Sequence, residues 1–358
     1  MRALAGAFCL AVGLLTPASA QRPDDEVRAA LVASAEREGA LQVLSTTDTA
    51  EVSDLLADFR ALYPGIELEY GKRSSGELYG ALVRDAAAGT GSADLLWSSA
   101  MDLQIKLVND GYAQAYASPE TGSLPEWAVW RDEAYGVTAE PVVMVYNKRL
   151  VPETDIPRTH ADLLKLLTAK PDAYQGKVAT YDPERSGTGF LFLTQDVQIT
   201  KSTWDLARAM GQVGVKLYGS SDAMLDRISS GEALIAYDVI GSYALARAKD
   251  DPAIGVVLPT DYAILMSRIA FVPKAARHPN AAKLFLDHLL SRRGQKLLAA
   301  RSLNPVRNDL AGGADSIVPA GREDALRPIH VGPGLLTYLD QAKRAKFLKE
   351  WQRALQGR

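Results

Sequence analysis

Residues 41–70 read LQVLSTTDTAEVSDLLADFRALYPGIELEY. Leu41 to Leu44 is an apolar run of strand length, and it ends in the polar turn Ser45-Thr46-Thr47-Asp48. From Glu51 to Leu62 the apolar residues Val52, Leu55, Leu56, Phe59 and Leu62 recur with the 3.6-residue period of a helix. Tyr63-Pro64-Gly65 stops that helix. Ile66 to Tyr70 then alternates apolar and polar, as a strand does. The unit is therefore strand, helix, strand.

The same rhythm continues on both sides. Asp25 to Gly39 reads as a helix with Val27, Leu31 and Ala35 on one face. Leu78 to Ala88 is a second helix closed by Gly89, and Asp94 to Trp97 is a third short strand. Repeated alternation of this kind predicts an α/β fold with mostly parallel sheets covered by helices. A second block begins near residue 140. Its strand candidates are Pro141–Tyr146, Lys177–Tyr181, Ala233–Tyr237, Gly255–Leu258 and Ser267–Val272. Its helix candidates are Leu163–Leu167, Phe190–Val197, Trp204–Val213, Ala223–Ser230, a long amphipathic Ala281–Ala299 and Leu335–Leu355. No linker rich in Pro, Gly or Ser separates the blocks, so two lobes joined by strands fit better than two independent domains.

Composition narrows the function classes. The 358 residues carry 40 Lys and Arg against 43 Asp and Glu, a formal charge of −3. That balance lacks the basic excess of a nucleic-acid-binding surface, so no nucleic acid is expected as a partner. One cysteine excludes a disulfide framework or a cysteine-rich zinc site. It is Cys9, inside the apolar run Ala3–Leu15 that follows Arg2 and precedes Ala18-Ser19-Ala20. This is the pattern of a cleavable secretory signal over residues 1–20, and its apolar run is shorter than the roughly 20 residues of a membrane span. Export to a bacterial periplasm follows as the expectation, with a mature chain free of cysteine.

The strands share one feature: turns rich in Ser and Thr follow them and open helices. These are Ser45-Thr46-Thr47, Ser74-Ser75, Ser98-Ser99, Ser186 to Thr188, and Ser220-Ser221. In an open α/β sheet, ligands bind beyond the carboxyl ends of the strands. Helix N-termini there present unpaired N–H groups and a partial positive charge, which suits an anion. Each such residue also makes a good N-cap, and Ser74 with Glu77 fits a capping box. Arg185-Ser186-Gly187-Thr188-Gly189 is the best single candidate. Its glycines let the backbone approach a ligand, and its arginine could pair with a phosphate or carboxylate.

Catalytic signatures are missing. No GxSxG, HExxH or CxxC motif occurs, and none of His160, His278, His288 and His330 is spaced for a helical metal pair. No enzyme, cofactor or resident metal is expected. The basic residues Lys343, Arg344, Lys346, Lys349 and Arg353 near the C-terminus read as a solvated helix face or a docking face.

Four stretches carry a family resemblance: Pro141–Lys148 (PVVMVYNK), Ser230–Tyr243 (SGEALIAYDVIGSY), Ser267–Lys274 (SRIAFVPK) and His278–Leu286 (HPNAAKLFL). They resemble the periplasmic solute-binding proteins of ABC importers, in the branch that includes the ferric-iron-binding proteins. The resemblance implies a type II, two-lobed fold that closes on a solute and delivers it to a membrane permease, usually as a monomer. It implies lobe one from 21–141 plus 273–305 and lobe two from 142–272 plus 306–358. The chain would cross near Val142–Tyr146 and Ser267–Val272. Iron-binding members use two adjacent tyrosines, whereas this chain has Ser242-Tyr243. A small anionic metabolite, a phosphate ester or a carboxylate, is therefore the expected solute, with ferric iron the alternative. A sensor that reports the solute to a membrane kinase is a further alternative. The expected contacts are Ser45, Thr46, Ser74, Ser75 and Ser99 from one lobe. Ser186, Gly187, Thr188 and Tyr243 come from the other, with Arg185 or Arg268 supplying positive charge.

Overall fold

The computed structural model describes residues 23–91, 93–312, 318 and 321–357; the expected signal segment at 1–20 lies outside them. Helix α1 (Pro23–Glu38) leads into β1 (Ala40–Ser45), α2 (Thr49–Leu62), β2 (Glu67–Lys72), α3 (Ser75–Ala88), β3 (Leu95–Ser98) and α4 (Met101–Asn109). Two short strands, β4 (Val129–Trp130) and β5 (Ala134–Gly136), precede the long β6 (Glu140–Asn147). Then come α5 (His160–Ala169), α6 (Pro171–Tyr174), β7 (Val178–Tyr181), α7 (Gly187–Ile199), α8 (Thr203–Gln212) and β8 (Lys216–Tyr218). They are followed by α9 (Ser221–Ser230), β9 (Ile235–Ile240), α10 (Gly241–Asp250), β10 (Ile254–Val257), β11 (Ala263–Met266) and β12 (Ile269–Phe271). The last elements are α11 (Pro279–Leu290), α12 (Arg292–Ala300), β13 (Leu326–Pro328) and α13 (Gln341–Leu355).

The strands form two sheets, one per lobe, as the α/β reading requires. The first runs β2-β1-β3-β12-β5-β4. The second runs β13-β11-β6-β9-β7-β8, with β10 also paired to β6. Helix α2 explains the local logic. Its periodic residues Val52, Leu55, Leu56 and Phe59 are all buried. They pack in one apolar cluster with Leu41 and Val43 of β1 and Phe285 and Leu289 of α11. Burying four such side chains contributes roughly 1.5–3 kcal/mol each, more than helix propensity supplies.

Three expectations about strand direction and helix bounds need correction. The sheets are mixed rather than mostly parallel. β1 pairs in parallel with β2 and β3, but β12 runs antiparallel to both β3 and β5. In the second sheet β6 is antiparallel to β9, β10 and β11. β6 and β12, the strands that enter a sheet from the other lobe, run antiparallel to their neighbours, and the short β4 is antiparallel to β5 as well. Second, Ala281–Ala299 is two helices. Ser291 adopts an extended conformation between them and its hydroxyl caps α12 by accepting from Gly294 N. Third, the C-terminal helix starts at Gln341, capped by the Asp340 carboxylate; Leu335 belongs to a separate single turn, Pro333–Leu336.

The passages between sheets lie side by side. The chain leaves β5 for β6 through Val137–Ala139 and returns from β11 to β12 through Ser267-Arg268. Val137 N donates to Arg268 O at 2.8 Å, and Arg268 N donates to Thr138 Oγ1 at 2.9 Å. Ala139 N donates to Asn304 O at 2.9 Å, so the segment past α12 joins the same bundle. Val142–Tyr146, expected as a crossing, lies wholly inside the second sheet, because Val142 and Val143 pair with Ile240 and Val239. β12, expected with lobe two, pairs within the first sheet. On the outside, α4 packs against the Pro333–Leu336 turn, and Val331 N donates to Trp127 O at 2.8 Å.

Candidate functional site

The turn after β1 meets the second lobe beside the paired crossings: Thr47 and Glu51 reach Arg268, and the Asp48 charge acts on Asp222 of α9. On the first lobe, β1 runs into Thr46-Thr47-Asp48 and β3 into Ser99. Ser99 N donates to Thr46 Oγ1 at 3.0 Å, and the two hydroxyls lie 3.3 Å apart. Both side chains are partly exposed. The structure therefore brings Thr46 and Ser99 together, as a hydroxyl pair at two strand ends.

The other serines of this lobe behave differently. Ser45 is fully buried, and its Oγ accepts from Thr47 N at 3.0 Å. Ser74 forms both halves of a capping box with Glu77. These hydroxyls hold backbone in place and are not free for a solute. Ser75 opens α3, partly exposed, one residue after that cap.

On the second lobe, Ser186 is buried and caps α7 through Gly189 N at 3.1 Å. Gly187 is exposed and Thr188 half-exposed, at the helix start, while Arg185 is exposed. Gly189 has no room for a side chain, since a Cβ there would sit 2.3 Å from Tyr181 Cβ. Helix α10 starts directly off β9. Ser242 donates to Glu140 Oε2 rather than facing outward. Tyr243, half-buried, lies with its ring 5.5 Å from the Arg268 guanidinium.

Arg268 departs most from the sequence reading. It is 1% exposed. Nε and Nη2 donate to Glu140 Oε1 and Oε2 at 2.8 and 3.1 Å, and Nη1 donates to Thr47 Oγ1 at 2.9 Å. Glu140 is itself fully buried. Its ionised form survives burial because Arg268, Ser242 and Thr138 all face it. The positive charge of Arg268 is thus spent on Glu140 and does not reach a solute as free charge.

Sequence reasoning missed Glu51 and Tyr70, which stand beside this pair. Glu51 Oε2 is 3.8 Å from Arg268 Nη1 yet buried without a hydrogen bond. Burial lifts its carboxyl to about 7, with Arg268 opposing the rise. Burial likewise raises the Tyr243 phenol to about 12, which keeps it a neutral donor at ordinary pH. Tyr70 donates to Thr47 O at 2.8 Å. Across the junction, burial raises the Asp222 carboxyl on α9, with the Asp48 charge of the first lobe adding to the rise. Acids at helix starts, spaced like Glu51 and Asp222, were the available signal.

The helix starts fall into two groups. α3, α7 and α9 carry a serine cap. α2, α4 and α10, which follow β1, β3 and β9, carry no side-chain cap. Glu51 N of α2 bonds Asp48 O, and in α4 Met101 N and Leu103 N bond Ser99 O and the Asp102 carboxylate, so only part of each first turn stays open to an external acceptor.

Comparison with known proteins settles the family. The family model described as bacterial extracellular solute-binding protein matches residues 54–319. The chain belongs to that family. A crystal structure of the substrate-binding protein of an ABC transporter from Agrobacterium tumefaciens is 40% identical, with a TM-score of 0.80 over 88% of this chain and 94% of that one. AfuA of Actinobacillus pleuropneumoniae, solved with fructose-6-phosphate, gives a TM-score of 0.71 at 17% identity, over 89% and 99% of the two chains. Iron-bound HitA of Pseudomonas aeruginosa gives 0.68 at 19%, over 88% and 99%. These two share the fold alone. Among curated relatives, the phosphoglycerate transport regulatory protein PgtC of Salmonella typhimurium is 30% identical over 129 residues. That match covers 36% of this chain and 32% of PgtC, about a third of the curated relative's length. Members of the family are extracellular or periplasmic and bind solutes without transforming them. The expected two-lobed fold and the absence of an enzymatic role both follow.

Proposed function

We propose that this solute-binding protein captures a small anionic metabolite, a phosphate ester or carboxylate, between its lobes and hands it to the permease of an ABC importer in the bacterial envelope. The lobes would be those built on the two sheets, hinged at the paired crossings. The observation that carries the reading is the set of uncapped helix starts after β1, β3 and β9. The first-turn N–H groups left unbonded there stand beside the Thr46–Ser99 hydroxyl pair and the neutral Tyr243 phenol. A ligand touching both lobes favours the closed state by its differential contacts.

The phosphoglycerate relative supports a phosphorylated acid in particular, and its name as a transport regulatory protein makes solute sensing the second reading. Ferric iron fits less well. Burial disfavours a Tyr243 phenolate, and Ser242, in the neighbouring position, is engaged with Glu140.

The test is native mass spectrometry of the purified protein, followed by thermal unfolding with glycerol 3-phosphate, 3-phosphoglycerate, citrate and ferric citrate. A true ligand at a hundred times its Kd should add about 2.7 kcal/mol of stability. Stabilisation by a phosphate or carboxylate is expected. Stabilisation by iron alone would overturn the reading.

A further inference from the structure

A cavity of about 480 Å³ opens between residues of both lobes. Asp102 and Leu103 of α4 line it from the first lobe, and Gly187 at the start of α7 from the second. Arg344 and Leu348 of α13 form its far wall. The volume suits a metabolite of a few to a dozen heavy atoms.

Asp102 is only 7% exposed. Its Oδ1 accepts from Leu103 N at 2.8 Å, and Arg344 acts on the carboxylate across the cavity without a salt bridge. Arg344 is fixed in a different way. Its guanidinium lies 3.9 Å from the centre of the Phe190 ring, and Nη2 reaches toward Pro183 O at 3.5 Å. Neither partner neutralises it. Two opposite charges, one from each lobe, thus face one mostly apolar cavity without closing an ion pair. Asp102 is the buried charge and Arg344 the partly exposed one, so a ligand whose cation answers Asp102 removes the larger desolvation cost while its acid group pairs with Arg344.

We infer that the solute is a zwitterion, a small amine bearing a phosphate or carboxylate. Its ammonium lies on Asp102, and its acid group lies between Arg344 and the exposed Gly187 at the start of α7. The inference rests on the anion-binding reading above and adds the cationic group to it. Burial raises the Asp102 carboxyl, and an ammonium beside it would pull it back down. Arg344 and Asp102 are then the residues that set specificity. Each comes from a different lobe, so this ligand also favours closure more than a simple phosphate would.

The test compares phosphoethanolamine with propyl phosphate, which has the same length and no amine, by titration calorimetry on the full chain. Phosphoethanolamine should bind at least tenfold more tightly. Asp102→Asn should bring that ratio close to one, and Arg344→Gln should weaken both ligands at least tenfold. Folding of each variant is checked by its circular dichroism and by its melting without ligand. Equal binding of the two probes, or a preference that survives Asp102→Asn, overturns the inference and leaves the anion reading standing. Failure of both probes, with citrate and 3-phosphoglycerate also silent, overturns the two together.

Discussion

Arg268 grips both carboxylate oxygens of Glu140, at 2.8 and 3.1 Å, and neither residue is more than 1% exposed. The pair sits where the two crossings touch. Arg268 is on the return passage, and Glu140 begins the outgoing β6. A bond between the passages themselves fixes their spacing at the point about which the lobes would turn.

Removing one partner should therefore act on folding before it acts on binding. Arg268→Met leaves Glu140 buried without compensation, which costs about 3–5 kcal/mol. Arg268→Lys should recover little, because an ammonium cannot reproduce the two-pronged geometry. Urea denaturation without ligand measures both. The double variant Arg268→Met with Glu140→Gln should recover part of the loss. If Arg268→Met melted like the wild type while binding collapsed, Arg268 would be a ligand contact after all.

Glu51 gives a pH dependence of unusual sign. Its carboxyl is raised to about 7 from an ordinary 4.5. Between those values the native state holds a proton that the unfolded chain has released. Stability from this group is therefore present at low pH and falls as pH rises from about 4.5 to 7. Glu51→Gln should be more stable than wild type at pH 8, by at most about 3 kcal/mol, and the difference should vanish near pH 4. Melting curves of both proteins across that range check it. An anionic ligand nearby would add to the effect, so its affinity should weaken above pH 7.

The hydroxyls that remain free for a solute are few, and they can be tested one by one. Ser99→Ala removes a hydroxyl whose neighbour Thr46 stays bonded to Ser99 N, so the fold should be little affected. Thr188→Ala does the same at the start of α7. Each should cost about 1.5–3 kcal/mol of affinity for a charged ligand, as lost charge-assisted hydrogen bonds, with unliganded melting within a degree or two of wild type. Calorimetric titration with the ligand identified by native mass spectrometry reads this directly. Unchanged affinity for either variant would take that residue out of the site.

Much of the architecture could be read from local pattern, and the failures share a physical cause. α2, α3 and α9 follow from periodic apolar residues, helped in α3 and α9 by a serine cap directly before the helix. α4 was not read because Met101, Gln104, Ile105, Leu107 and Val108 are buried on more than one face, which blurs the period. α10 was not read because it starts at Gly241 without a capping side chain. The role of Arg268 was invisible because Glu140 is 128 residues away in the sequence. The same distance hides Arg344, whose helix reads as solvated until α13 is seen packing on α8 and α7. Hydroxyl turns were read as a class. The Ser74–Glu77 capping box was legible, but that Ser186 also caps a helix while Ser99 stays open depends on contacts the local sequence does not show.

The position of Arg344 depends on how α13 docks, and one glycine controls that docking. Gly211 of α8 lies against the end of α13, where an added Cβ would sit 2.1 Å from Leu355 O. Backbone on both sides leaves no flexible side chain to move aside. Gly211→Ala should therefore push the two helices apart and cost about 1–3 kcal/mol, the usual penalty for overpacking. Trp351, 2% exposed in the same interface with Phe347 and Ala354, reports the change. Its fluorescence should shift to the red, and protease should cut α13 faster than in wild type. Gly76, where an added Cβ meets nothing within 4 Å, is the control. Gly76→Ala should leave both readouts as they are. If α13 tolerated Gly211→Ala without either change, its packing on α8 would be looser than the geometry requires, and Arg344 would not be held firmly enough to select a ligand.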